Sequence, residues 1–167
     1  MKKIIWISSY PKSGNTWMRY LISNYFFNND NNFNPYIIKN IEKFHLASEI
    51  INKKQIKENF AINPYNVSKY WIESQKKLEI LNGNVVFLKT HNALININNN
   101  EFTNSDLSLA IIYVVRDPRD VAVSYAKYRD VAFDKTIKHM IKDEPIAFVR
   151  DPNNLSDIEI TGSWAFH

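Results

Sequence analysis

The chain has no cysteine. That excludes disulfides, thiolate nucleophiles and thiolate-bound metals, and it leaves no sign of an oxidising compartment, so a cytoplasmic location is the expectation. Glycine is scarce, with three in 167 residues, and an all-β protein built on tight turns would use more. No apolar run is long enough to span a bilayer, so no membrane insertion is expected. Lys2 and Lys3 followed by Ile4, Ile5, Trp6 and Ile7 begin like a signal peptide, but Ser8, Ser9, Tyr10, Pro11 and Lys12 end the run too early. Arginines clustered on one face with interleaved aromatics are also lacking. The lysines are scattered, and no nucleic-acid partner is expected. The net charge of +4 and isoelectric point near 9.1 favour an anionic ligand without identifying one.

What remains is a chain 45% hydrophobic and 23% charged, suited to one globular domain over residues 1–167. Three short β-branched runs, at residues 4–7, 85–88 and 110–115, read as buried parallel strands whose weak alternation fits a sheet covered on both faces. Met18, Leu21, Ile22 and Tyr25 follow the first run at helical spacing and predict a helix with that stripe inward. After the third run, Asp117 suits an N-cap, Pro118 a first helical position and Asp120 a first turn, in a helix through about Tyr128. The Asn-rich stretches 28–34 and 96–104 read as loops. Residues 37–81 read as a mainly helical cap over one sheet edge, broken at Pro35 and Pro64.

The chemistry gathers at the three strand ends, where open α/β sheets bind ligands. Ser9-Tyr10-Pro11-Lys12-Ser13-Gly14-Asn15-Thr16-Trp17 sets a glycine and a lysine at a helix start, an arrangement that suits a phosphate or sulfate. Because Lys12 precedes Gly14, it is no Walker-type loop; a plain strand-to-helix turn with a surface lysine is the alternative. Lys89 and His91 lie two apart beyond the second run and project to one face if the strand persists. A neutral histidine there can take a proton from a hydroxyl. His45, His139 and His167 are read as structural. Arg116 and Ser124 can both donate to a phosphate, although Asp117 and Asp120 could pair with Arg116 or Arg119 instead.

Together these segments resemble the sulfotransferase family that uses 3′-phosphoadenosine 5′-phosphosulfate (PAPS). The loop from Tyr10 to Trp17 is similar to its 5′-phosphosulfate loop, Lys89-Thr90-His91 to its Lys-Thr-His strand end, and Tyr113-Val114-Val115-Arg116 through Ser124-Tyr125 to its 3′-phosphate motif. The resemblance implies a three-layer α/β domain with a central parallel sheet, related in plan to P-loop nucleotide kinases. It implies transfer of a sulfuryl group from PAPS to a hydroxyl or amine, with PAP as product and no metal. Lys12 would contact the leaving oxygen, Ser13, Gly14, Asn15 and Thr16 the 5′-phosphate, and Trp17 would stack near the adenine. Arg116 and Ser124 would bind the 3′-phosphate, His91 would be the general base, and Lys89 would steady the transferring group.

The last residues, Gly162 to His167, are similar to a family segment that precedes further strands and an Arg-Lys-Gly motif. That motif is absent, so the resemblance implies a C-terminally incomplete domain. Loss of a sheet-edge strand would leave apolar surface that favours a homo-oligomer. The acceptor, a small molecule or a glycan, would meet residues 37–81 and 131–160, where Phe44, Tyr65, Tyr70 and Phe133 either flank it or simply pack. A P-loop small-molecule kinase and an inactive PAPS- or PAP-binding fragment are the competing readings.

Overall fold

The computed structural model describes residues 3–51, 63–79, 84–142, 144–149 and 155–167. Strand β1 (Lys3–Ser8) is central. It pairs in parallel with β3 (Val85–Thr90) on one side, Ser8 opposite Thr90, and with β6 (Ser108–Tyr113) on the other, Ser8 opposite Tyr113. A two-residue strand, β2 (Glu42–Lys43), adds in parallel to β3, giving the order β2-β3-β1-β6. All three apolar runs are parallel strands. The third begins earlier than the run suggests, and Val114 and Val115 lie past its end, though Val114 N–H still donates to the Ser8 carbonyl.

Side-chain alternation along β1 splits the core in two. Ile4 and Trp6 join Phe44, Leu46, Val67, Trp71 and Leu88, whereas Ile7 joins Ile22, Ile41, Met18, Phe87 and Ile112. Helix α1 (Asn15–Phe27) covers the Ile7 face. The short helices α2 (Pro64–Val67) and α3 (Trp71–Lys76) cover the Trp6 face, so the expected three-layer α/β plan is the one adopted. On β6 the cover is incomplete: Leu109, Ile111 and Tyr113 are exposed, contrary to the expectation of a sheet buried on both faces.

Three further expectations are corrected. The stripe on α1 is turned: Asn15, Met18, Ile22 and Ser23 face inward, while Leu21 (64% exposed) and Tyr25 (82%) line up outward with Trp17 (75%). The polar inner face is explained by Arg19, which donates to the carbonyls of Ile38 and Ile41, so this helix meets a turn that offers carbonyl acceptors rather than a purely apolar surface. Residues 37–81 are not mainly helical at their start. A 3-10 turn (Pro35–Asn40) leads into β2, and Ile41 packs on one sheet face while Phe44 and Leu46 pack on the other, which is period two. Residues 52–62 and 80–83 of that cap lie outside the described residues.

The loop expected at 96–104 contains a hairpin of β4 (Asn96–Ile97) and β5 (Asn100–Glu101), joined by Asn98 and Asn99 at φ 49° and 63°. Asparagine tolerates this left-handed pair, which two-residue hairpin turns require.

Helix α4 (Pro118–Arg129) forms as expected, its first turn capped by the Asp117 carboxylate, which accepts from Arg119 N–H. Against it, through Val121, Ala122, Tyr125 and Met140, packs α5 (Phe133–Met140). An antiparallel ribbon of β7 (Ala147–Val149) and β8 (Ile158–Ile160) closes the structure beside the ends of β1 and β3. The Ile160 carbonyl accepts from Ala93 N–H, which fixes β8 next to the residues following β3.

Candidate active site

The loop between β1 and α1 turns on two left-handed residues, Lys12 at φ 69° and Gly14 at φ 107°. Glycine takes that conformation freely; lysine pays for it sterically, so the surrounding contacts must hold it. Asn15 supplies part of the hold, its side-chain amide donating to the Ile7 carbonyl at 3.0 Å and to Ser9 Oγ at 3.2 Å. The N-terminus of α1 then opens at Gly14 with no side chain capping it, which leaves amide donors and the positive end of the helix dipole for an anion.

Arg116, just beyond β6, ties the third strand end to this loop by donating to the Lys12 carbonyl at 3.3 Å. Its Nε lies 3.8 Å from Asp120, and Arg119 pairs with Asp117 at 2.6 Å, so the acidic partners considered from sequence are divided between the two arginines. The Lys12 ammonium rests 4.3 Å from the centroid of the Tyr128 ring.

His91 is held from both sides. Its Nδ1 is 2.7 Å from the Ser9 carbonyl, which can only accept, so Nδ1 carries the proton and Nε2 keeps its lone pair. Its backbone N–H donates to Glu159 Oε1 at 2.8 Å, and its carbonyl accepts from His167 Nε2 at 3.0 Å. Burial, with the charge of Lys89, pushes the His91 pKa down to about 3. The imidazole is therefore neutral throughout the physiological range. Lys89 itself is buried and donates to Glu159 Oε1 at 3.0 Å. Burial alone would raise the Glu159 carboxyl, but the charges of Lys89 and Lys43 and the hydrogen bond from Lys43 overcome it and hold the group below its ordinary range.

These pieces surround one cavity of about 380 Å³. Of the residues expected at the site, Lys12, Gly14, Asn15, Thr16, Trp17, His91, Arg116 and Ser124 line it. Ser13 and Lys89 do not: Ser13 lies buried under the loop, its Oγ without a partner among the described residues, and Lys89 stands behind Glu159. Sequence reasoning missed Glu159, Thr161, Phe148, Tyr125 and Tyr128 on the walls and Lys43 behind them. A charged residue between the two β-branched residues Ile158 and Ile160 is the one signal that could have found Glu159.

Phe44, Tyr65, Tyr70 and Phe133 are not on this cavity; Phe44 and Tyr70 pack in the core and the other two are exposed. Among the described residues no three His, Asp or Glu side chains gather as a metal site, and no helix is long and apolar enough to cross a membrane.

A sulfotransferase domain model matches residues 2–164, nearly the whole chain. The chain belongs to the sulfotransferase family. It is also similar to the luciferin sulfotransferase of Photinus pyralis, 32% identical over 122 residues, a match covering 71% of this chain. That match takes in 31% of the insect protein, so the chain spans well under two thirds of the length of the curated relative. The loop after β1, the end of β3 and the start of α4, all within the matched domain, meet at the cavity.

Proposed function

We infer that this chain binds PAPS in the cavity and moves its sulfuryl group to a hydroxyl or amine of a small-molecule or glycan acceptor, with no metal. The observation that carries the reading is that Lys12, His91, Arg116, Ser124 and the uncapped start of α1 all border one hollow. The donor set suits a polyanion: two cations, a hydroxyl and a helix N-terminus, in a volume within the usual range for small ligands.

When bound, PAPS supplies a sulfuryl group on a phosphate leaving group. In the transfer, the sulfur–oxygen bond to that phosphate breaks as one to the acceptor oxygen or nitrogen forms. The acceptor's proton passes to Nε2 of His91, which is unprotonated because Nδ1 is engaged by Ser9. Lys12 neutralises the charge that develops on the leaving oxygen. The loop amides and Thr16 hold the 5′-phosphate, Arg116 and Ser124 hold the 3′-phosphate, and Trp17 offers an exposed indole for stacking. Lys89 acts from behind the wall, through its pair with Glu159, rather than by touching the transferring group.

Two measurements test this reading. PAP is expected to raise the melting temperature more than ATP with Mg²⁺ does, since only PAP engages Arg116 and Ser124 through a 3′-phosphate. Mass-spectrometric detection of sulfated acceptors from PAPS should follow. A larger shift with ATP and Mg²⁺, together with phosphorylated product, would instead identify a small-molecule kinase.

A further inference from the structure

One buried carboxylate joins three strands that are remote in sequence. Glu159 lies on β8, is 2% exposed, and nevertheless forms part of the cavity wall. Its Oε1 accepts from Lys89 Nζ at 3.0 Å and from the backbone N–H of His91 at 2.8 Å, and its Oε2 accepts from Lys43 Nζ at 2.9 Å. Lys43 is shared with Asp157, so two lysines and two carboxylates balance behind the wall.

Taking a carboxylate out of water is costly, and apolar residues of similar volume would commonly give an equally stable fold, so stability is a weak explanation for a charge at this position. The contacts suggest another role. A single carboxylate oxygen bridges the Lys89 ammonium and the His91 main chain, so those two groups cannot shift independently. The His91 ring is meanwhile tethered at Nδ1 to the Ser9 carbonyl at the end of β1. The direction of Nε2 is therefore set jointly by the loop after β1 and by Glu159.

We propose that Glu159 is a positioning residue of the transfer site, fixing the Lys89 ammonium and the His91 main chain relative to the loop that carries Lys12. The proposal rests on the sulfotransferase reading above. It separates from a purely structural role because the two predict different patterns. A structural loss weakens folding, nucleotide binding and transfer together, whereas loss of positioning slows transfer and spares nucleotide binding. Removing a negative charge from the wall should even favour an anionic ligand.

The test compares the full chain with Glu159→Gln, which keeps an acceptor for the His91 N–H but loses the charge that holds Lys89. Expected are PAP affinity equal to or several-fold tighter than that of the parent, an unchanged KM for PAPS, and kcat lowered at least tenfold. Lys89→Met combined with Glu159→Gln should be no slower than Lys89→Met alone, because both remove the same interaction. Parallel losses of PAP affinity and kcat, or independent losses in the double variant, overturn the proposal. If Glu159→Gln does not fold, Glu159→Asp serves in its place, with full PAP affinity and intermediate kcat expected; failure of both to fold assigns Glu159 a structural role only. Should the parent chain transfer nothing, the sulfotransferase reading falls by itself, and ¹⁵N imidazole spectra decide the positioning. At neutral pH His91 should show one Nδ1–H tautomer in the parent chain and averaged signals in Glu159→Gln, and unchanged signals would refute the role.

Discussion

His91 links the proposed transfer to stability in one ring. Its folded pKa of about 3 lies below the ordinary 6.5, so between those values the unfolded chain binds a proton that the folded one refuses. Stability is then fully present above pH 6.5 and falls as the pH drops toward 3, by about 1.4 kcal/mol per pH unit for one proton. His45, His139 and His167 are depressed in the same direction by burial, and their contributions add. Urea unfolding between pH 6.5 and 5 should accordingly show a slope that His91→Gln reduces by about one proton's worth. The same variant should lose transfer and keep PAP affinity within a few-fold. An unchanged pH slope would mean the ring is not neutral by burial. Arg116→Ala should cost roughly 1.5–3 kcal/mol of PAP binding, the range for a hydrogen bond to a charged group, and should cost adenosine 5′-phosphate much less. Calorimetry with both ligands checks it. At this scale the residues lining the cavity were legible because strand ends and a glycine turn announce them. Glu159, Lys43 and Tyr128 were not, because their place depends on β8, β2 and the end of α4 arriving at a common wall, which no local pattern encodes.

At the scale of elements, α4 is the part whose local chemistry decides its position. Asp117 accepts from Arg119 N–H, Pro118 opens the first turn and Asp130 ends the helix in a left-handed conformation. This helix carries Ser124, Tyr125 and Tyr128 to the cavity, so its start sets their height. Asp117→Ala removes the cap and should destabilise the protein by about 1 kcal/mol, while Asp117→Ser should recover most of it. Denaturant midpoints of the three proteins measure this, and equal midpoints would show that Asp117 matters only as a partner of Arg119. The elements legible in the sequence were those with an unambiguous period or cap: β1, β3, β6 and α4. The stripe on α1 misled because leucine and tyrosine at helical spacing mark an amphipathic helix without saying which face is inward. Here Arg19 and Ser23 take the inner face, and Arg19 meets carbonyls that only the tertiary structure supplies. β2 and the Asn98–Asn99 hairpin were hidden for a related reason. Each strand there has two residues, too few for alternation to stand out, although paired asparagines are a turn signal in their own right.

For the molecule as a whole, a net charge of +4 was ambiguous in the sequence because the lysines are dispersed. Folding resolves the ambiguity by distributing those charges unevenly. Lys43 and Lys89 are consumed in buried pairs, whereas among the described residues the Lys12 ammonium meets the Tyr128 ring rather than a carboxylate, and Arg116 approaches a carboxylate at 3.8 Å. The attraction felt by an incoming polyanion thus comes from Lys12, Arg116 and the α1 terminus, opposed by Glu159 on the same wall. Partly exposed charges of this kind are screened over about 8 Å at physiological ionic strength and about 3 Å at 1 M. PAP affinity should consequently drop about tenfold or more between 0.05 and 0.5 M sodium chloride, while adenosine, which carries the ring and ribose without the phosphates, should bind weakly and with little salt dependence. Fluorescence of Trp17 at the cavity mouth offers a readout for both ligands. A PAP affinity indifferent to salt would mean that stacking and shape, rather than the two cations and the helix terminus, govern how this cavity selects its ligand.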